Sequence, residues 1–224
     1  MVLKDIPASV RPREKLLAHG AAALADTELV ALLLRTGTRG ASVLQLAQQL
    51  LDGFGGLAGL LHGDTSRLRR IKGIGPAKLA ELSAVIELAR RAVGERLIER
   101  PALETLAQVK SYVQMHLGGH EHEVFGVLFL DGRHRLMCFD EMFRGTLTQT
   151  SVYPREIVKR AIGLGAGAVI LAHNHPSGEA EPSLADVHLT HRLRDVLAVI
   201  DVLVLDHIVV SRNVAISLAE RGLM

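Results

Sequence analysis

The sequence predicts a smaller all-α domain followed by an α/β domain, and three observations carry that reading. Leu, Val and Ala recur at helical spacing through the first hundred residues. From residue 123 onward, apolar runs of strand length alternate with helical patterns, which is the signature of an α/β fold. Between the two regimes lies a charged stretch, residues 94–104, that contains Pro101. The reading therefore sets domains at 1–98 and 103–224.

In the first domain, residues 28–34 and 42–51 read as helices joined by the turn Thr36-Gly37-Thr38-Arg39-Gly40. The glycines of Asp52-Gly53-Phe54-Gly55-Gly56 end the second helix. A short helix over 66–71 leads into Lys72-Gly73-Ile74-Gly75-Pro76. Pro76 suits the entry to a long helix over 77–92, because the N–H it lacks is one the first turn leaves unpaired anyway. In the second domain, a helix over 106–117 precedes a strand over 123–130, closed by the turn Asp131-Gly132. Residues 134–139 are expected to return antiparallel to that strand. Residues 146–152 are rich in β-branched side chains. Pro154 opens a helix to about Leu164, and residues 168–172 form a buried strand. A polar loop then leads to a helix over 183–199. Residues 201–205 and 207–210 add strand material, and Asp206 and His207 read foremost as turn residues between them. Their other reading is as partners that hold a ligand imidazole. No internal repeat or low-complexity tract interrupts the pattern.

Apolar residues make up 48% and charged residues 22%, the balance of an ordinary soluble globular chain. No apolar stretch is long enough to span a bilayer, and no early segment reads as a secretory signal, so a cytoplasmic protein is expected. Cys138 is the only cysteine. It excludes an intramolecular disulfide and any zinc finger built on two or more cysteines. The net charge of +2 hides an asymmetry. Residues 1–100 hold 15 Lys and Arg against 10 Asp and Glu, whereas the rest hold 11 against 14. A basic front half suits contact with nucleic-acid phosphates.

The chemistry concentrates in His173-Asn174-His175-Pro176-Ser177-Gly178 and Pro182-Ser183-Leu184-Ala185-Asp186. Side chains two apart on an extended backbone share a face, so His173 and His175 can converge on one point. They leave the C-terminal end of a buried strand, where α/β sheets commonly place their sites. Neutral imidazoles suit zinc, and a carboxylate makes a third ligand. Three protein ligands leave a fourth position for water, as in catalytic rather than structural zinc sites. Ser183-x-x-Asp186 is also the pattern of a helix-capping box, and the two readings compete for the Asp186 oxygens. His188 and His191 lie further along the same helix and are expected to face solvent.

The spacing His-x-His, seven residues, Ser, two residues, Asp is similar to the JAMM motif of the JAB/MPN metalloprotease superfamily. Together with Pro154-Arg155-Glu156 and Leu205-Asp206-His207-Ile208, it closely resembles the RadC family over nearly the whole chain. The resemblance implies a mixed-sheet JAB/MPN-like domain in which His173, His175 and Asp186 bind one zinc and Ser183 helps to stabilise an oxyanion. It also calls for an upstream glutamate as general base. Glu123-Val-Phe-Gly126-Val-Leu128 fits the family's Glu-x-x-Gly-x-Leu pattern and makes Glu123 the choice, with Glu141 and Glu156 in reserve. The implied reaction is hydrolysis of an amide by an activated water, in a metallopeptidase or isopeptidase of unknown peptide or protein substrate.

In the first domain, Leu68-Arg69-Arg70-Ile71-Lys72-Gly73-Ile74-Gly75-Pro76-Ala77-Lys78 resembles a helix-hairpin-helix DNA-binding motif. Gly73 and Gly75 let backbone approach a phosphate, and Arg69, Arg70, Lys72 and Lys78 add sequence-independent contacts. Many such motifs carry Ala where this chain has Leu79. DNA is thus the expected partner of the first half. Two other readings stay open: a DNA-repair accessory protein with a structural or vestigial metal site, and a metal-dependent nuclease.

Overall fold

A computed structural model describes residues 7, 11–62, 65–99, 101–145 and 151–224. The chain divides into two compact units, Met1–Leu88 and Ala89–Met224.

The first unit is helical among its described residues. It contains α1 (Pro12–His19), α2 (Asp26–Leu34), α3 (Val43–Phe54), α4 (Leu57–His62), α5 (Thr65–Leu68) and the start of α6 (Pro76–Glu99). Val30, Leu34, Leu46, Leu50, Phe54 and Leu82 belong to one buried cluster at its centre. Helix α3 opens with a reciprocal cap: Ser42 Oγ accepts the Gln45 N–H, and Gln45 Oε1 accepts the Ser42 N–H. It runs through Asp52 and Gly53 and stops only at Gly55, which takes the left-handed conformation at φ 77°. One glycine alone does not break a helix whose next turn still buries an aromatic, here Phe54. Helix α6 likewise passes the expected end near Ala92 and continues to Glu99, because Leu97 on its last turns is fully buried. The division between the two units falls inside this helix.

The second unit carries α7 (Leu106–Leu117), β1 (Val124–Leu130), β2 (Leu136–Arg144), α8 (Pro154–Leu164), β3 (Ala168–Asn174), α9 (Leu184–Ala198), β4 (Leu203–Val210) and β5 (Ala215–Ser217). The strands form one sheet in the order β2-β1-β3-β4-β5. Only β3 and β4 are parallel, joined through α9, so the sheet is mixed as expected. Both faces are covered. Val124, Leu128, Ile170 and Ile208 share a cluster with Val109 and Val113 of α7. Phe125, Val127, Val169 and Leu171 share another with Ile157 of α8 and Leu193 of α9. Double coverage is why β1 and β3 read as unbroken apolar runs rather than alternating ones.

Residues 146–150 of the β-branched segment lie outside the described residues, and Ser151–Tyr153 are irregular. The expected break at Asp206 and His207 is replaced by one continuous strand, β4. Asp206 is buried there because its carboxylate accepts the His207 N–H, the Ser217 hydroxyl and the Ala219 N–H. Those bonds let a charged residue sit inside a strand where composition alone suggests a turn. Burial nevertheless pushes its pKa above the usual carboxylate value.

Candidate metal centre

The site begins at the end of β3, where side chains alternate between faces. His173 pairs across the sheet with Phe125 of β1 and Val209 of β4, and its ring stacks parallel to Phe125 at 6.3 Å. His175 lies just past the strand, and its backbone N–H donates to the Val210 carbonyl, which extends the pairing by one residue. The two imidazoles therefore point the same way, with Nε2 atoms 3.0 Å apart. Asp186, on the first turn of α9, brings Oδ1 to 3.2 Å from His173 Nε2 and Oδ2 to 3.7 Å from His175 Nε2. One ligand atom from each of the three lies within 4.8 Å of the others, a spacing at which they can share a metal ion.

The far side of each imidazole is already engaged. His175 Nδ1 lies 2.9 Å from the Glu179 carbonyl, and His173 Nδ1 lies 2.8 Å from His207 Nε2. A carbonyl only accepts, so His175 carries its proton on Nδ1 and turns a bare Nε2 inward. The donor set fits a borderline cation such as zinc: two imidazoles and one carboxylate. His173 is buried, whereas His175 and Asp186 retain some exposure on the open side.

Ser183 caps α9. Its hydroxyl accepts the Asp186 N–H at 3.2 Å and donates to Asp186 Oδ2 at 2.7 Å, while its own N–H also donates to Oδ2. The competition between cap and ligand is resolved by dividing the carboxylate. Oδ2 serves the cap, and Oδ1 makes the closer approach to His173. Burial pushes the Asp186 carboxyl up, but hydrogen bonding and charge from the imidazolium form of His173, and the bonds from Ser183, outweigh it, so the net shift is strongly downward. The carboxyl is held ionised.

The triad opens into a cleft of about 720 Å³, which Glu123, Ser183 and Arg192 also line, with Phe125, Tyr153 and Leu189 as apolar wall. Glu141 and Glu156 do not line it. Glu141 pairs with His120 at 3.3 Å, and Glu156 with Arg155 at 3.2 Å. The glycine of the Glu-x-x-Gly pattern has its own reason: a Cβ on Gly126 would meet the Phe139 ring at 2.5 Å. His188 is exposed as expected. His191 is only half-exposed, and its Nε2 is shielded with no hydrogen-bond partner among the described residues.

Sequence reasoning missed two residues, Asn174 and Thr190, and gave His207 only second place as a partner of a ligand imidazole. Asn174, between the two histidines, is buried on the opposite face of β3. Its Oδ1 accepts the Val124 N–H at 2.7 Å, and its Nδ2 donates to the carbonyls of His122 and His120. It thus holds the backbone on both sides of Glu123 against the strand that carries His173. Thr190 is the other, and it pairs with His207: Thr190 Oγ1 lies 2.6 Å from His207 Nδ1 and 2.6 Å from the Asp186 carbonyl. His207 is fully buried, and burial first, then the nearby His173, holds its pKa well below the usual value, so it is neutral. The continuity of β4 sets His207 beside the His173 imidazole, which is the second of its two sequence readings rather than the turn. Thr190 carries the helical i+4 spacing from Asp186, a signal too common to stand alone.

In the first unit, Gly73 adopts φ +100°, and a Cβ there would fall 2.0 Å from Thr38 Cγ2. Gly75 has open space around it, and Lys72 is exposed. Lys78 folds back, donating to the carbonyls of Gly37 and Gly73, so it braces the hairpin from within. The helix before the hairpin, α5, is a single turn. Leu79 packs against the helical core.

Comparison with known proteins finds a RadC-like JAB domain over residues 103–223 and a UPF0758 N-terminal region over residues 3–80. The chain is 62% identical to a UPF0758 protein of Methylibium petroleiphilum over 222 residues, covering 99% of this chain and 100% of that one. A UPF0758 protein of Leptothrix cholodnii is 61% identical with the same coverage. A third, from a Polaromonas species, is 60% identical over the full length of both.

Proposed function

The chain belongs to the RadC-like JAB domain family, and from that premise we propose that it is a zinc-dependent hydrolase cleaving an amide bond, as a peptidase or isopeptidase. The observation that supports this most is the convergence of His173, His175 and Asp186 at the head of a cleft that Glu123 also lines. When bound to these residues, zinc supplies a Lewis acid able to lower the pKa of a water toward ~7.

The chain's own groups do the rest. Glu123 accepts the proton of the attacking water and returns it to the leaving nitrogen. Ser183 has one hydroxyl proton, spent on Asp186 Oδ2 before substrate arrives; rotating it toward the cleft donates it to the oxyanion. Phe125 and Leu189 exclude water from one wall. The N-terminal unit, with its basic surplus and its Gly73–Gly75 hairpin, is the part that we assign to DNA.

The test is hydrolysis by the zinc-loaded full chain, offered a mixed peptide pool and duplex DNA side by side. Peptide cleavage that falls on the order of 10²–10⁴-fold in Glu123→Gln, with zinc content unchanged, is the expected result. Phosphodiester cleavage lost in His173→Ala, with peptides spared, would replace the peptidase by a nuclease. DNA binding that survives metal removal, with neither substrate cut, would leave an accessory protein.

A further inference from the structure

His173 can serve as a metal ligand in only one of its two neutral tautomers. An imidazole can carry its single proton on either nitrogen, and only the form with a bare Nε2 is a ligand here. The tautomer is set by a buried chain of three hydrogen bonds that begins and ends on the ligand set. Thr190 Oγ1 sits 2.6 Å from the Asp186 carbonyl. Two oxygens that close repel unless a proton lies between them, and the carbonyl has none, so the threonine hydroxyl donates to it. Its one proton is then spent. The remaining 2.6 Å contact, to His207 Nδ1, has the hydroxyl as acceptor, so the proton of His207 is on Nδ1. His207 Nε2 therefore carries a lone pair and faces His173 Nδ1 at 2.8 Å. The only arrangement that completes that bond puts a proton on His173 Nδ1, and Nε2 is left bare, facing His175 Nε2 at 3.0 Å and Asp186 Oδ1 at 3.2 Å, so three acceptors converge where only a cation between them relieves the repulsion.

We propose that His207 and Thr190 are positioning residues that fix His173 in the Nδ1–H tautomer and so reserve its Nε2 lone pair for the metal. The chain also has a mechanical sense. His173 is on β3, His207 on β4, and Thr190 and Asp186 are one turn apart on α9, so the relay clasps the two elements that carry ligands. This proposal rests on the metal reading of the triad, but the tautomer itself does not require the metal to be present. Such outer partners commonly change metal affinity by about 10–100-fold when removed.

The experiment has two arms on the full chain. In the first, imidazole nitrogen NMR of zinc-free protein at mildly alkaline pH reads the tautomers. His173 and His207 are both expected to be protonated on Nδ1. Thr190→Val is expected to redistribute both, and Thr190→Ser to restore them. In the second, zinc affinity is measured by competition with a chelator. His207→Leu and Thr190→Val are expected to bind zinc about 10–100-fold more weakly, and Thr190→Ser as wild type does. Should His207→Leu fail to fold, the threonine pair and the wild-type tautomer still decide. His173 protonated on Nε2, or zinc affinity unchanged in a folded Thr190→Val, would overturn the proposal. Wild type that shows the expected tautomers yet binds no zinc would sink the metal reading alone and leave the tautomer assignment standing.

Discussion

Asp186 meets two demands at once because a carboxylate has two oxygens and this one is held so that each has a single task. Oδ2 takes the Ser183 N–H and hydroxyl, and Oδ1 faces His173. Asn174 does comparable work on the other face of β3. Replacing it with Ala leaves the Val124 N–H without its acceptor in a buried place, at about 1–3 kcal/mol by the usual cost of an orphaned group, and removes two bonds to the half-buried 120–122 segment. Urea unfolding of Asn174→Ala is therefore expected to show a clear drop in stability, together with weaker hydrolysis, since the backbone around Glu123 loses its anchor. Full stability in that variant would contradict the role. The convergence of His173 and His175 was legible from spacing, because period-two geometry on a strand leaves the two side chains little choice. Asn174 was not, because a polar residue between two histidines reads as loop until the strand is seen to extend through it.

The elements carry their own tests. The β1–β2 turn is held by Asp131, which accepts the Arg133 and Arg135 N–H groups and the Arg135 guanidinium. The Arg135 backbone bond first, then its side chain, lowers the Asp131 pKa to about 2. A depressed carboxyl pKa adds stability above the ordinary value of 3.8 and loses it as pH falls through about 2. Asp131→Asn should accordingly lower Tm at neutral pH, and the difference from wild type should close across that acid window. A gap that stays constant down to the acid end would argue against the charge. In the helical unit, Gly73→Ala forces a side chain into φ +100° against Thr38. The expected loss is about 1–3 kcal/mol, read by chemical denaturation, and replacing Thr38 by Ser should not restore it because the backbone strain remains. Elements with strong periodicity, such as α7 and α8, were legible to the residue. The run of α6 beyond Ala92 and the continuity of β4 were not, since each depends on a tertiary partner: burial of Leu97 in one case and the Ser217 and Ala219 bonds to Asp206 in the other.

At the scale of the molecule, charge and chemistry are segregated along the chain, with the basic surplus in residues 1–100 and the cluster of His173, His175 and Asp186 in the second unit. If the hairpin meets DNA, binding by the full chain falls with salt. Lys72→Ala should then reduce the slope of log affinity against log salt by about 0.9 for the one phosphate lost, while Asp186→Ala leaves it unaltered. An unchanged slope in Lys72→Ala would remove that contact from the account. Among the described residues no helix is long and apolar enough to cross a membrane. The most direct test of the central claim is metal content by elemental analysis, on wild type and Asp186→Ala purified side by side without a histidine tag. The account predicts about one zinc per chain in the wild type and a sharp loss in the variant, as three ligands with one open position require. No metal in the wild type, and no uptake when zinc is added, would contradict it.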